Sequence, residues 1–185
     1  DDRIASIENA IEQLQDGIRD VALNNKAVPF AQGDVAEMWH THTYNIDAAV
    51  KGKHVDLAFA PRSNERDSPD VVFGDGHRSQ AQLKWYADDQ ATARAFDNPG
   101  YSEMLKVGPT EQIVDIKQRW LDDAARLADS DPDRSAILRH AAESVTDRLD
   151  ANGVQSAPLT RADTDAVTLD VREDGELDVD QWGQT

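Results

Sequence analysis

One short stretch sets the frame for the chain. Ser68 to Tyr86, S-P-D-V-V-F-G-D-G-H-R-S-Q-A-Q-L-K-W-Y, reads as two short strands joined by a glycine-containing turn. Val71, Val72 and Phe73 form an apolar run, and Gly74-Asp75-Gly76 supplies the turn. Ser79 to Tyr86 then alternates, with Gln80, Gln82 and Lys84 on one face and Ala81, Leu83 and Trp85 on the other. If the two strands pair, Asp70 comes near Gln82 and Lys84. That arrangement offers an oxygen pair able to hold a divalent cation, with an ammonium beside it.

Pro69-Asp70 followed by Gln82-Leu83-Lys84 resembles the signature of the PD-(D/E)xK superfamily of metal-dependent nucleases, the restriction-endonuclease-like fold. The second acidic position of that signature is Gln here, a neutral ligand whose amide oxygen can still coordinate Mg²⁺. The resemblance also implies a glutamate on the helix before the first strand, and Glu37 in A-E-M-W-H stands there. It spans residues 33 to 107. The bare spacing occurs a second time at Asp115-Ile116-Lys117, but inside a helical pattern with no Asp-bearing strand before it, so context separates the two.

Charge composition is skewed in a particular way. The net charge is −17, from 27 Asp and 9 Glu against 13 Arg and only 6 Lys, spread along all 185 residues. Short carboxylates in place of lysines resemble the proteins of salt-in halophilic archaea, where a Debye length of about 3 Å screens self-repulsion. Acidity therefore does not exclude nucleic acid, though no basic stripe marks a face for it. With so few lysines, one on a strand of the buried type is less easily incidental. The chain has no cysteine, which excludes disulfides and thiolate-zinc sites. No apolar run approaches the roughly 18 residues of a membrane span, so the sequence reads as soluble and cytoplasmic.

In chain order, Ile4, Ile7, Ile11, Leu14, Ile18 and Val21 make a heptad seam on a helix from Asp2 to Asn25, suited to its own domain or to a second copy or partner protein. Pro29 is expected to end it, with Gln32-Gly33 as a turn and Asp34 capping a second helix that stops at Gly52. Along that helix Glu37, His40, Tyr44 and Asp47 stack on one side. His40-Thr41-His42 would suit zinc on a strand, but on a helix the rings diverge by about 200°. His54 to Ala60 is expected as a strand, Arg62 to Asp67 as a polar loop, Asp88 to Phe96 as a helix and Met104 to Val107 as a strand. Glu111 to Ala128 and the segment after Asp131-Pro132 predict an αα-hairpin, the second helix stopping at Asn152-Gly153. Val167 to Val171 and Glu176 to Val179, around Glu173-Asp174-Gly175, suggest an acidic β-hairpin or a tail.

The expected fold is thus α/β (α+β): a small mixed central sheet flanked by helices, with a restriction-endonuclease-like core. Its parts are an N-terminal helix (1–28), a nuclease-like α/β domain with a helical C-terminal part (33–158) and a tail or hairpin (159–185). Under the resemblance, Glu37, Asp70 and Gln82 hold Mg²⁺ or Mn²⁺, Lys84 completes the catalytic set, and the activity is hydrolysis of nucleic-acid phosphodiester bonds, DNA foremost, in a defence or mobile-element setting. His40, Tyr44, Gln80, Arg62 and Arg66 are its candidate substrate contacts. The alternatives are an inactive nuclease-fold domain serving binding or assembly, and a protein-interaction module. Because the acidic excess runs the whole length of the chain, the melting temperature should rise from dilute buffer to molar KCl; equal melting in both would count against adaptation to salt.

Overall fold

Pro29 and Asn45 decide how the first third of the chain is laid out. The computed structural model of the protein describes residues 2–24 and 26–182. Helix α1 (Asp2–Ala22) buries Leu14, Ile18 and Val21, while Ile4 at its start is exposed. Asn25, the expected end of this helix, lies outside the described residues, as do Gly183 to Thr185 at the end of the tail. Helix α2 (Val28–Val50) carries Pro29 in its first turn. First-turn N–H groups have no acceptor within the helix and the proline φ suits it, so a proline there costs nothing. Pro29 therefore opens a helix instead of closing one, and Gln32-Gly33 are helical, not a turn. Asp34, expected as a cap, pairs with Lys26 at 2.6 Å.

The expected strand His54 to Ala60 contributes a single antiparallel bridge, Phe59 to Val72. Asn45 of α2 explains this. Its amide accepts from the Ala58 N–H at 2.7 Å and donates to the Ala58 carbonyl at 2.9 Å, satisfying backbone groups that a ladder would otherwise have to pair. Asp56, at φ 55°, breaks the extended run just before.

Strands β1 (Val71–Phe73) and β2 (Ser79–Leu83) pair antiparallel with Val71 opposite Ala81. Gly74 and Gly76 in the connecting turn both hold positive φ, which favours glycine. Helix α3 (Asp89–Phe96), capped by the Asp88 carboxylate on the Ala91 N–H, carries the crossover to β3 (Leu105–Val107), which lies parallel to β2. Helices α4 (Ile113–Leu127) and α5 (Pro132–Ser144) form the expected αα-hairpin and deliver β4 (Val145–Thr146) parallel to β3. The sheet order is β1-β2-β3-β4.

The C-terminal third departs further from expectation. Asn152-Gly153 does not stop a helix. With φ of 53° and 79° it turns a small hairpin, β5 (Asp150–Ala151) with β6 (Val154–Gln155), because Asn-Gly is the pair best able to hold two left-handed residues in a row. Conversely, the hairpin expected around Asp174-Gly175 is helix α6 (Arg161–Asp174), followed by the short α7 (Val179–Trp182). Thr160 and Asp163 form a reciprocal capping box, Gly175 ends α6 at φ 81°, and Thr164, Val167, Thr168 and Val171 form its buried stripe.

Two apolar clusters result. The larger joins α1, α2, α6 and the sheet; the smaller joins α3, α4, α5 and Val145. The mixed α/β class with a small mixed sheet matches the sequence reading, and among the described residues no helix is long and apolar enough to cross a membrane. Ile18, fully buried in the larger cluster, makes the contribution of α1 measurable. Ile18→Ala should lower the unfolding free energy by about 2–5 kcal/mol in molar KCl, read by urea denaturation, whereas a loss below about 1 kcal/mol would mean that α1 is not integral to that core.

Candidate functional site

Asp70 immediately precedes β1 and bonds the β2 backbone at Ala81 and Leu83, either side of Gln82. The Asp70 N–H donates to the Ala81 carbonyl at 2.9 Å, and its carboxylate Oδ2 accepts the Leu83 N–H at 2.8 Å. Gln82 and Lys84, two residues apart on an extended run, share one side of it. The strand direction persists to Lys84, whose N–H donates to Val107 O at 3.1 Å. Burial raises the Asp70 carboxyl above its usual range, against the opposing pull of the Leu83 N–H and the Lys84 charge.

Glu37 reaches the same place from α2. Its carboxyl is pushed up to about 7, first by burial and next by the negative field of Asp70, with Arg62 partly offsetting both. Each of these groups is felt electrostatically by another, so Glu37, Asp70, Lys84 and Arg62 occupy one neighbourhood, contributed by a helix, a hairpin and the loop before β1. Gln82 is buried and its Nε2 donates to the Ser68 carbonyl, which fixes the amide and leaves Oε1 as its acceptor end.

The loop from 98 to 104 forms the wall beside Lys84. The Lys84 Nζ sits over the Tyr101 ring, 5.2 Å from its centroid, a cation–π distance. Asn98 Nδ2 donates to Asp67 at 2.7 Å, and its Oδ1 accepts the Gly100 N–H. A Cβ on Gly100 would come within 2.5 Å of the Asp67 carboxyl carbon, so the loop touches the segment leading into Asp70 at a point only glycine allows. Asp67 and Arg62 both hold positive φ, strain of the kind that collects where a loop must be aimed. From the other side Lys106 of β3, 3% exposed, donates to the Tyr101 and Met104 carbonyls and to Ser144 Oγ, each at 3.1 Å. Sequence reasoning passed over Lys106; L-K-V within a strand otherwise apolar was the available signal.

The candidate substrate contacts are scattered. His40 is fully buried, its Nδ1 2.7 Å from Ser156 Oγ and its ring against Trp85, and burial drives it down to about 3, so it is neutral. Ser156 Oγ also accepts the Leu149 N–H, so it links the ring to the backbone ahead of β5. His40 thus belongs to the core. Tyr44 is likewise buried, edge-on to Phe73 at 5.5 Å. Gln80 is exposed on the site face, Arg62 is exposed beside Glu37, and Arg66 points into solvent, its nearest carboxylate Asp67 at 3.8 Å. His42 turns away from His40 toward Gly17, as helical spacing requires.

Among the described residues no cluster of three or more His, Cys, Asp or Glu side chains is suited to a metal. The donor set here is two carboxylates and one amide oxygen. Two carboxyls held above their usual range by burial, one of them also by the other's charge, form a set that a hard divalent cation would relieve, and the oxygens fit Mg²⁺ or Mn²⁺. Two cavities, of about 890 and 500 Å³, lie elsewhere, lined by none of Glu37, Asp70, Gln82 or Lys84. No protein-family model, curated protein or solved structure matches the chain.

The sign of the Glu37 shift makes a stability prediction. A carboxyl raised on folding binds more protons folded than unfolded between its ordinary value and about 7, so stability falls as pH rises across that window and the loss persists above it. Glu37→Gln removes the loss. The variant should be more stable than the unmodified protein at pH 8, by about 1–2 kcal/mol after allowance for partial exposure, with the advantage gone by about pH 4. Parallel stability–pH curves for the two proteins would refute the assignment.

Proposed function

We propose that the chain is a metal-dependent nuclease whose site is formed by Glu37, Asp70, Gln82 and Lys84. The observation that carries this reading is the approach of Glu37, from a helix, to Asp70 and Lys84 on a hairpin, the convergence expected of a PD-(D/E)xK site. The order of elements, with a helix, a bridging segment, a hairpin, a crossover helix and a parallel strand, supports it further.

Mg²⁺ or Mn²⁺, held by Glu37, Asp70 and the Gln82 oxygen, would supply positive charge to the scissile phosphate and acidify a water. The chain's own residues do the rest. Asp70 is rigid, because its second oxygen is tied to the strand backbone. Lys84, steadied on the Tyr101 ring, presents an ammonium that stabilises negative charge developing on phosphate oxygens. Glu37, whose burial keeps its carboxyl basic for a carboxylate, would give the metal ion its second charged oxygen. A second reading, a nuclease-fold domain without activity, draws on Gln82: its amide hydrogen is committed to the Ser68 carbonyl, a structural bond that a glutamate could not make.

Three variants test the proposal in molar KCl with Mn²⁺ and labelled DNA and RNA. Asp70→Ala should abolish metal binding and cleavage; Lys84→Ala should keep metal binding and lose the rate in single turnover. Gln82→Glu should tighten the metal while costing about 1–3 kcal/mol of stability, since it sets a carboxylate against the Ser68 carbonyl. Cleavage that persists in Asp70→Ala would overturn the site, and an inactive native protein awakened by Gln82→Glu would establish the second reading.

A further inference from the structure

We infer that the cavity of about 500 Å³ between α3, α4, α5 and the loop from 98 to 104 binds a small organic monocarboxylate, its apolar body against Phe96 and Trp120 and its charge drawn to Lys106. The inference stands apart from the nuclease reading, because none of Glu37, Asp70, Gln82 or Lys84 lines this cavity.

The cavity opens off the smaller of the two apolar clusters. Phe96, Trp120 and Leu138 belong to that cluster and also line the cavity, each at most 5% exposed. The two rings meet edge to face with their centroids 6.3 Å apart. Ile137 lines the same space while standing 53% exposed, so apolar surface runs from the buried rings out to solvent. The volume falls within the roughly 300–1,000 Å³ of small-molecule sites, which pair apolar walls with a few placed polar groups.

Lys106 is the polar group that decides the ligand. It lines the cavity at 3% exposure, yet its three bonds go to neutral acceptors, the Tyr101 and Met104 carbonyls and Ser144 Oγ, each at 3.1 Å. Bonds from a charged donor are usually shorter, roughly 2.7–2.9 Å, so these are loose for an ammonium. Glu103, whose field Lys106 feels, is instead turned to His140 at 3.7 Å with its side chain 87% exposed. Among the described residues no carboxylate pairs with Lys106. Buried charges are ordinarily paired, and here the counter-charge is missing beside a space large enough to admit one.

The sign and size of the ligand charge follow from the lining. Lys106 and Arg134 stand against Asp97 and Glu103, so the cavity is near neutral in a chain of net charge −17. Arg134 is already paired with Asp97 at 2.7 Å, which leaves Lys106 as the cation to satisfy. A cationic ligand would meet that ammonium, a neutral one would leave it unpaired, and a dianion would meet Asp97 and Glu103 as well. A monocarboxylate on an apolar body fits both the charge and the walls.

The test is calorimetric titration of the full chain in molar KCl with octanoate and 2-naphthoate, each against its neutral alcohol, 1-octanol and 2-naphthalenemethanol. The acids should bind at least about tenfold more tightly than the alcohols, the loss expected of one hydrogen bond to a charged group, and the two pairs report whether the body is alkyl or aryl. Lys106→Met should erase the preference for the acid while the alcohol still binds. Ala141→Phe, which fills the cavity from α5, should abolish binding of both acid and alcohol. Equal binding of acid and alcohol by the unmodified protein, no binding of either, or acid binding that survives Ala141→Phe would each overturn the inference. Should Lys106→Met fail to fold, the acid-to-alcohol ratio and Ala141→Phe still decide it.

Discussion

The Asp70 carboxylate completes the β1–β2 ladder with a side chain, and the site depends on that bond. By accepting the Leu83 N–H it takes the place of a backbone carbonyl at the end of a strand only three residues long. One oxygen is thereby spent on register. A slip of one residue would turn Gln82 and Lys84 to the opposite face and send Leu83 into the acidic mouth. The buried run Val71 to Phe73 resists such a slip, so the chemistry of the site and the packing of the core enforce the same alignment.

A second constraint works from behind. Lys106 is buried, and burial lowers its pKa, yet all three of its donors are matched by the Tyr101 and Met104 carbonyls and by Ser144 at the end of α5. A cation at the C-terminal end of a helix is favourably placed, which offsets part of its desolvation. The consequence is a loop held at both ends, by Lys106 on one side and by Asn98 on Asp67 at the other, with the Tyr101 ring between them under Lys84. The ammonium that faces Asp70 is thus positioned through a second lysine that never reaches the surface.

How much of this was legible follows from which signals were local. The hairpin, its turn, the α3 cap and the αα-hairpin all rest on periodicity and short-range chemistry, and they emerged from the residues alone. Pro29 misled because a proline is equally at home just after one helix and in the first turn of the next. The two C-terminal Gly signals were exchanged: Asn152-Gly153 turns a hairpin and Gly175 caps a helix. Local sequence offers a positive φ in each place, and only the capping box at Thr160 and the buried stripe up to Val171 distinguish them. His54 to Ala60 has the composition of a strand but loses its ladder to Asn45, a long-range competition that no window of sequence contains. His40, Tyr101 and Lys106 are in the same position, since their roles are set by Ser156, Lys84 and Ser144.

The acidity of the chain and the raised carboxyls of the site belong to one balance. Over most of the surface carboxylates are exposed and screened, and they cost little in salt. Glu37 and Asp70 are the exceptions: withdrawn from water, they are held above their ordinary ranges, opposed by Arg62 for Glu37 and by the Leu83 N–H and Lys84 for Asp70. Salt screens the outer charges far better than these partly buried ones, so the environment that makes the surface tolerable does little for the site. A fold that keeps two such groups together gives up stability there, and a proton on Glu37 returns part of it below about pH 7.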